Sequence, residues 1–279
     1  MRFETQSAVL REAFPAEYAD LAILVTELGS QEVLMVVLAT LFWLSSRRRS
    51  ALVIAYALAG FSLVLTLKVA LGLPRPSAEL FLKPPAADPY GFPSGHAFAA
   101  VVVYGGLVSA FDRAREPPVL VGAGVLVLLI SLSRVVLGIH YLGDVIVGIA
   151  LGLGFLAGIS RLARGDPRWA FAVAVALSIP ALLLVGPSSA TLLGLGGSIG
   201  GLLAATRIEY LPARRSRVEG AVLVLGGGGF VAAVLAVEPL VATSRPLLVA
   251  LYAALVAGIL LVPAAVGRLE FDALDAGAR

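Results

Sequence analysis

The chain has 279 residues, of which 59% are hydrophobic and only 14% are charged, and its mean hydropathy is +0.96. A soluble domain of this size needs far fewer apolar residues, so the composition indicates an integral membrane protein. The formal net charge of +3, from 21 basic and 18 acidic residues, is too small to indicate a nucleic-acid partner. The lack of cysteine excludes disulfides, thiolate metal ligands and cysteine nucleophiles from this sequence.

The start of the chain is polar, and residues 20–28 form an apolar stretch too short to cross about 30 Å of hydrocarbon. We predict that this stretch lies at the membrane interface or is partly buried. The first thirty residues lack the basic start, apolar centre and small-residue cleavage site of a signal peptide. We therefore expect that no signal peptide is removed.

A series of apolar runs follows and predicts an all-α fold, a polytopic transmembrane helix bundle of about nine spans. Pro74 and Pro76 end the second run, because proline cannot continue a helix. Runs that are short for a span are expected to extend into the polar residues beside them. The predicted spans are 32–46, 51–73, 97–111, 119–132, 141–161, 169–185, 191–205, 221–237 and 247–266.

Clusters of arginine alternate with polar segments along these runs. They lie at 47–49, 113–115, 161–168 and 207–217. Loops that stay on the cytoplasmic side of a membrane carry an excess of Lys and Arg. The sequence therefore predicts a multi-pass protein of the cell membrane, with these clusters inside and the intervening polar segments outside.

Lys68 and Arg75 form the first of three polar islands on the predicted outer side. They are seven residues apart, a spacing that on a helix places both cations on one face. Alternatively, Lys68 snorkels from a span and Arg75 belongs to a loop. The chain has only two lysines, so a lysine inside an apolar span favours a specific need for a compact ammonium group.

The second island is Pro93-Ser94-Gly95-His96, at the predicted start of a span. Ser94 is a good helix cap, and the free N–H groups of Ser94, Gly95 and the following residues would face a bound anion. Glycine allows the backbone to approach that anion closely. The alternative is an ordinary helix start with a surface histidine.

The third island contains Ser133-Arg134, His140 and Asp144. Arg134 can donate two hydrogen bonds to a phosphate, and Asp144 lies one helical turn after His140. A carboxylate bound to one ring nitrogen would leave the other nitrogen free to attack. Alternatively, a buried Asp and His serve only as each other's hydrogen-bond partners, although ionisable residues inside a membrane are functional by default.

Together the islands place three cations, two imidazoles, one carboxylate and a helix amino terminus on one membrane face. This set suits phosphoryl transfer without a metal, because cations and backbone amides can neutralise the oxygens of the transition state. Two histidines and a carboxylate could ligate zinc, but three neighbouring cations disfavour a dication. We predict no metal and no cofactor.

Taken in order, Lys68-x6-Arg75-Pro76, Pro93-Ser94-Gly95-His96 and Ser133-Arg134-x5-His140-x3-Asp144 closely resemble the three-part signature of the type 2 phosphatidic acid phosphatase superfamily. All three parts are complete, and the resemblance covers about residues 20–165. It implies that His140 is the nucleophile and forms a phosphohistidine, that Asp144 orients it, and that His96 protonates the leaving oxygen and later helps to activate water. The residues that it implies for phosphoryl binding are Lys68, Arg75, Ser94, Gly95 and Arg134.

The sequence departs from this family in the number of its spans. Smaller members have fewer spans, so the resemblance implies a lipid-phosphatase-like catalytic core in residues 1–168 and an added four-helix transmembrane region in 169–279. It implies no role for the added region. The first family helix is expected to be shortened or interfacial here.

Three functions remain open at this point. The leading one is a lipid phosphatase that releases phosphate at the outer face from a polyprenyl diphosphate or a phosphatidic-acid-like lipid. The second is a phosphotransferase in which an alcohol replaces water. The third is a non-catalytic anion-binding membrane protein or transporter, against which the complete catalytic set argues. In each case the partners are a lipid phosphate and membrane lipids, and no nucleic acid is expected.

Overall fold

The computed structural model describes residues 2–83 and 88–268, and within these ranges the regular structure is helical throughout. The predicted all-α fold is therefore confirmed. One helix contains a π-helical segment at Val101–Gly105. The helices are α1 (Glu4–Ala13), α2 (Ala19–Glu27), α3 (Gln31–Leu44), α4 (Arg47–Leu71), α5 (Gly95–Ala110), α6 (Pro117–Val136), α7 (Leu142–Ala163), α8 (Pro167–Val185), α9 (Ser189–Ala205), α10 (Arg217–Val241) and α11 (Arg245–Val266).

Six of the helices in the described ranges are long and apolar enough to cross a membrane. A seventh span results if α2 and α3, which meet at a bend of 48°, are counted as one. The apolar helices α5 and α9 are shorter, and with the seven spans they account for the nine predicted. The protein is thus a multi-pass membrane protein.

The helix ends near the predicted islands follow from the local sequence. Helix α4 stops at Leu71, and Gly72 then adopts a positive φ of 61°, which glycine tolerates without steric cost. Helix α6 begins with the proline pair at 117 and 118, whose missing N–H groups are harmless in a first turn. It also continues to Val136, so the short apolar run 119–132 does extend into the third polar island.

The chain divides into two compact units that interleave along the sequence. The first unit consists of residues 1–35 and 60–161, and the second of residues 36–59 and 162–279, the latter described here to residue 268. The predicted division at residue 168 stays a prediction.

In the first unit, glycines on α7 allow α5 to pack closely against it. A Cβ atom at Gly148 would lie 2.7 Å from the Ser94 carbonyl oxygen, and one at Gly152 would lie 3.1 Å from the Phe98 carbonyl oxygen. Larger residues at either position would push the two backbones apart. This packing fixes the start of α5 beside the start of α7.

The amino-terminal helices pack against the same region of the first unit. Ala22 of α2 packs with Leu137 and Ile139, which precede α7. Leu10 of α1 packs against buried Val135 and Val145. The stretch 20–28, predicted to be interfacial or partly buried, thus lies mostly in the helix Ala19–Glu27, which is buried on one side.

In the second unit, small residues bring the helices into close contact. A Cβ atom at Gly200 of α9 would lie 2.0 Å from the carbonyl oxygen of Ala253 on α11, so only glycine permits this approach. Elsewhere in the unit large apolar side chains point outward: Leu240 is 81% exposed. Such exposure is unfavourable in water but suits a surface that faces lipid.

Candidate active site

The candidate site lies where the ends of four helices of the first unit meet. Lys68 is in the last turn of α4, and Arg134 is in the last turn of α6. Ser94 is the N-cap of α5, and His96 lies in the first turn of that helix. Asp144 is in the first turn of α7, and His140 lies just before that helix. The three islands of the sequence thus form one cluster.

Lys68 and Arg75 meet at a carboxylate. Because α4 ends at Leu71, Arg75 belongs to the loop that follows, and the two cations do not share a helix face. Both nevertheless bind Asp88: Lys68 Nζ donates to its Oδ2, Arg75 Nη2 lies 3.5 Å from the same oxygen, and Arg75 Nε donates to the Asp88 carbonyl oxygen at 2.8 Å. Burial opposes ionisation of Asp88, but Lys68, the Tyr90 amide and Arg75 outweigh it, so the pKa of Asp88 is lowered.

The imidazole of His140 lies beside this cation pair. Its Nε2 atom is 3.3 Å from Nη1 of Arg75, and the side chain is 1% exposed. A guanidinium group only donates hydrogen bonds, so Nε2 must accept, and the ring proton must sit on Nδ1. Burial lowers the pKa of His140 to about 3 although Asp144 opposes the shift. The side chain therefore presents a neutral ring with a lone pair on Nε2, as a nucleophile requires.

Asp144 faces the other ring nitrogen. Its Oδ2 lies 3.5 Å from His140 Nδ1 and accepts a hydrogen bond from the backbone N–H of Tyr141 at 2.9 Å. The Asp144 carbonyl oxygen accepts from the N–H of Ser94 at 3.0 Å, which ties the second island to the third. Asp144 is completely buried, and Arg2 binds both of its carboxylate oxygens.

The second island contributes a hydroxyl group and the second imidazole. Ser94 is fully buried, and its Oγ makes no hydrogen bond to any described residue. A Cβ atom at Gly95 would lie 3.8 Å from Cε of Lys68. Residue 95 is therefore next to the first cation, and the space there would also admit a residue larger than glycine. His96 is half-buried and lies close enough to Arg134 and His140 to interact with them electrostatically.

Arg134 is buried behind His140. Its carbonyl oxygen accepts from the N–H of His140 at 3.3 Å, and its Nη1 donates to Oγ1 of Thr26 at 2.8 Å. Arg134 Nε, Ser94 Oγ and His140 Nδ1 all lack a hydrogen-bond partner among the described residues. Each such group costs about 1–3 kcal/mol, so a cluster of them beside several cations favours a binding site for a ligand. Cations beside these groups favour an anionic ligand over a metal ion.

Two residues of this site were not predicted as such. In the sequence, Asp88 is only one charged residue of the loop between the first two islands. Arg2 was simply part of a polar start, 142 residues from the carboxylate that it binds. An arginine near the start of a chain carries no signal of its own. The partner of Asp144 could be found only from the structure.

The region that contains the eight predicted site residues is similar to known proteins. Residues 48–166 match the model of the PAP2 superfamily, that is, of type 2 phosphatidic acid phosphatases. Phosphatidylglycerophosphatase B of Bacillus subtilis (strain 168) is 39% identical over 72 residues, an alignment that covers 23% of this chain and 34% of that protein. The match thus spans about a third of the curated relative. No solved structure matches the chain.

Proposed function

We propose, from the match of residues 48–166 to the PAP2 superfamily model, that the protein is a membrane-embedded, metal-independent lipid phosphatase that works through a phosphohistidine. The observation that carries the proposal is the position of Arg75. It binds Asp88 together with Lys68 and lies 3.3 Å from the nucleophilic nitrogen of His140. A phosphoryl group held by these two cations would lie next to that nitrogen.

In the first step, Nε2 of His140 attacks phosphorus, an N–P bond forms, and the P–O bond to the leaving group breaks. The imidazole becomes positively charged as it attacks, and the carboxylate of Asp144 on the Nδ1 side stabilises that charge. His96 donates a proton to the departing oxygen. General acid catalysis of this kind contributes about 10²–10⁴-fold to a rate.

In the second step, water attacks the phosphohistidine and His96 accepts its proton. The N–P bond breaks, inorganic phosphate leaves, and His140 returns to its neutral state. Throughout, the charge of the three phosphoryl oxygens is met by donors in the pocket. We assign this binding role to Lys68, Arg75 and Arg134, to the buried hydroxyl of Ser94 and to the backbone of Gly95.

The substrate that we propose is a phosphate monoester or diphosphate of a lipid. The name of the Bacillus relative points to a phosphorylated phosphatidylglycerol, and a polyprenyl diphosphate or a phosphatidic-acid-like lipid presents the same terminal phosphate. Only that phosphate is needed for the contacts described above. The lipid tail would remain among the apolar side chains of the surrounding spans.

We further propose that the site opens on the outer face of the membrane. In the first unit the site lies at the carboxyl end of α6 and the amino end of α7, whereas Arg113 and Arg115 precede α6 and Arg161 lies near the end of α7. Arginine clusters favour the cytoplasmic side. The opposite helix ends, with the candidate site, would then face outward.

Phosphate release by the purified protein tests this function. Phosphatidic acid, phosphatidylglycerol phosphate and a polyprenyl diphosphate should be compared in excess chelator, with His140→Ala as the matched control. We expect phosphate release from at least one lipid, unaffected by the chelator and lost in the variant. Transfer of phosphate to an added alcohol instead of water would show a phosphotransferase, and no turnover of any lipid would favour a non-catalytic anion-binding protein.

A further inference from the structure

The segment before the matched region reaches the centre of the candidate site. Arg2 binds the Asp144 carboxylate with two hydrogen bonds, Nε to Oδ1 and Nη2 to Oδ2, both at 2.7 Å. The Arg2 side chain is 14% exposed and that of Asp144 is 0% exposed. A paired, two-bond arrangement of this kind is the strongest that arginine forms with a carboxylate.

The rest of the segment is anchored to the same turn of the chain. The carbonyl oxygen of Arg2 accepts a hydrogen bond from the N–H of Gly143 at 3.1 Å. The guanidinium of Arg2 lies 4.7 Å from the centre of the Tyr141 ring. Ser7, which is completely buried, accepts from the N–H of Leu142 at 2.8 Å. These contacts hold the start of the chain against residues 141–144.

The sequence of the turn permits this approach only because residue 143 is glycine. A Cβ atom at Gly143 would lie 2.9 Å from both Cα and the carbonyl oxygen of Arg2. The atoms that it would meet are backbone atoms, which cannot move aside as the end of a flexible side chain can. The close fit of the two segments is therefore specific.

Asp144 needs such a partner. A fully buried carboxylate is costly unless it is paired, and its other described contacts are one backbone N–H and an imidazole nitrogen at 3.5 Å. That nitrogen is too distant to form a strong hydrogen bond. Arg2 supplies the positive charge that keeps the carboxylate stable in this position, on the Nδ1 side of His140.

Arg2 is not placed to bind the phosphoryl group itself. Nε and Nη2 donate to Asp144, and Nη1 donates to the carbonyl oxygen of Pro74 at 2.6 Å. The cation beside the nucleophilic Nε2 of His140 is Arg75. The two hydrogen bonds of Arg2 to Asp144 thus lie on the Nδ1 side of the imidazole, away from the attacking nitrogen.

We infer that Arg2 is a positioning residue that holds Asp144 against His140, so that the amino-terminal segment completes the active site of the PAP2 region. The inference rests on the proposed phosphatase function, because it assigns Arg2 a part in that reaction. Residues that orient metal ligands from the outer shell contribute about 10- to 100-fold, and we expect an effect of the same size from Arg2. Removal of Arg2 should lower kcat by that factor and change KM by less than about threefold, since no phosphate contact is lost.

A double-mutant cycle tests whether Arg2 acts through Asp144. Arg2→Ala, Asp144→Asn and the double variant are compared with Arg113→Ala, which removes an exposed arginine paired with Glu116. We expect Arg2→Ala to cost about 10- to 100-fold in kcat in the wild-type background and less than about twofold after Asp144→Asn. Arg2→Lys should restore part of the loss, and Arg113→Ala should behave as wild type. Equal losses in both backgrounds, a loss confined to KM, or no loss would overturn the inference.

A second readout does not depend on turnover. The chain has only two histidines, so ¹⁵N-histidine labelling gives four ring-nitrogen signals, which His96→Gln assigns. We expect a single His140 tautomer with its proton on Nδ1 in the wild type and in Arg113→Ala, and altered His140 signals in Arg2→Ala. Unchanged signals in Arg2→Ala would overturn the inference. If instead no lipid is hydrolysed but the signals change, the proposed function fails while the link from Arg2 to His140 stands.

Discussion

Arg75 holds Asp88 by two groups, with Nε donating to the carbonyl oxygen at 2.8 Å and Nη2 lying 3.5 Å from the carboxylate. The same carboxylate oxygen accepts from Lys68. The carboxylate of Asp88 therefore pairs with the two cations that are proposed to bind the terminal phosphate. A phosphate that binds there must compete with Asp88.

Asp88→Asn is expected to strengthen substrate binding. Without the carboxylate charge, the two cations are free to interact with phosphate, and the gain should correspond to roughly 1 kcal/mol, the scale of a partly exposed ion pair. KM, and the inhibition constant of inorganic phosphate, should fall by about fivefold. Steady-state kinetics at fixed ionic strength would measure both.

Glu79→Gln is the matched control, because Glu79 is an exposed acidic residue of the same loop. It should leave both constants unchanged. A rise in KM on Asp88→Asn would mean that Asp88 organises the cations for substrate instead of competing with it.

His140 should stay neutral over the working pH range. Burial lowers its pKa to about 3, whereas an exposed histidine titrates near 6.5. Because the shift is downward, the folded protein does not bind this proton as the pH falls through 6.5. The ¹⁵N signals of the His140 ring should be constant from pH 8 to pH 5, and an inflection near pH 6.5 would show that the ring is accessible to water.

The spans and the three islands could be predicted from the sequence because both are local features. Membrane-crossing helices need long apolar runs, and these are visible as such: the run 247–266 corresponds to a helix at Arg245–Val266. The islands stand out since charged residues such as Lys68 and Asp144 are rare in an apolar chain. Their order along the sequence was enough to indicate a resemblance to the family whose model matches residues 48–166.

The partners of these residues could not be predicted in the same way. Arg2 and Asp144 are joined across 142 positions, and no periodicity or spacing connects them. The short helix α1 that carries Ser7 lies in a polar stretch without the apolar run that revealed the spans. The helix-face relation proposed for Lys68 and Arg75 failed for a local reason: the helix ends at Leu71, and a carboxylate instead of a helix face brings the two cations together.

Close helix packing in the second unit can be tested with a pair of glycines. Gly200→Ala should destabilise the protein, because the added Cβ atom would lie 2.0 Å from a backbone oxygen of α11. Overpacking of this kind costs about 1–3 kcal/mol. Gly226→Ala is the control, since Gly226 has nothing within 4 Å of the added atom. Thermal unfolding in one detergent should separate the two variants, and equal midpoints would contradict the packing.

The proposed orientation in the membrane can be tested with single cysteines, because the chain has none. Glu79 is exposed in the loop between the first two islands, and Ala213 is exposed in the arginine-rich segment after α9. A membrane-impermeant thiol reagent applied to intact cells should label Glu79→Cys and spare Ala213→Cys until the membrane is broken. Labelling of Ala213→Cys alone would place the site on the cytoplasmic side.

Transfer of the phosphoryl group through His140 can be tested by trapping the phosphoenzyme. The protein is mixed with a lipid labelled in its terminal phosphate, quenched in alkali to preserve phosphohistidine, and digested to locate the label. We predict label on His140, its loss in His140→Ala, and its accumulation in His96→Ala when the leaving group is activated and needs no proton. Label on His96, or a labelled enzyme that persists in His140→Ala, would show that His140 is not the nucleophile.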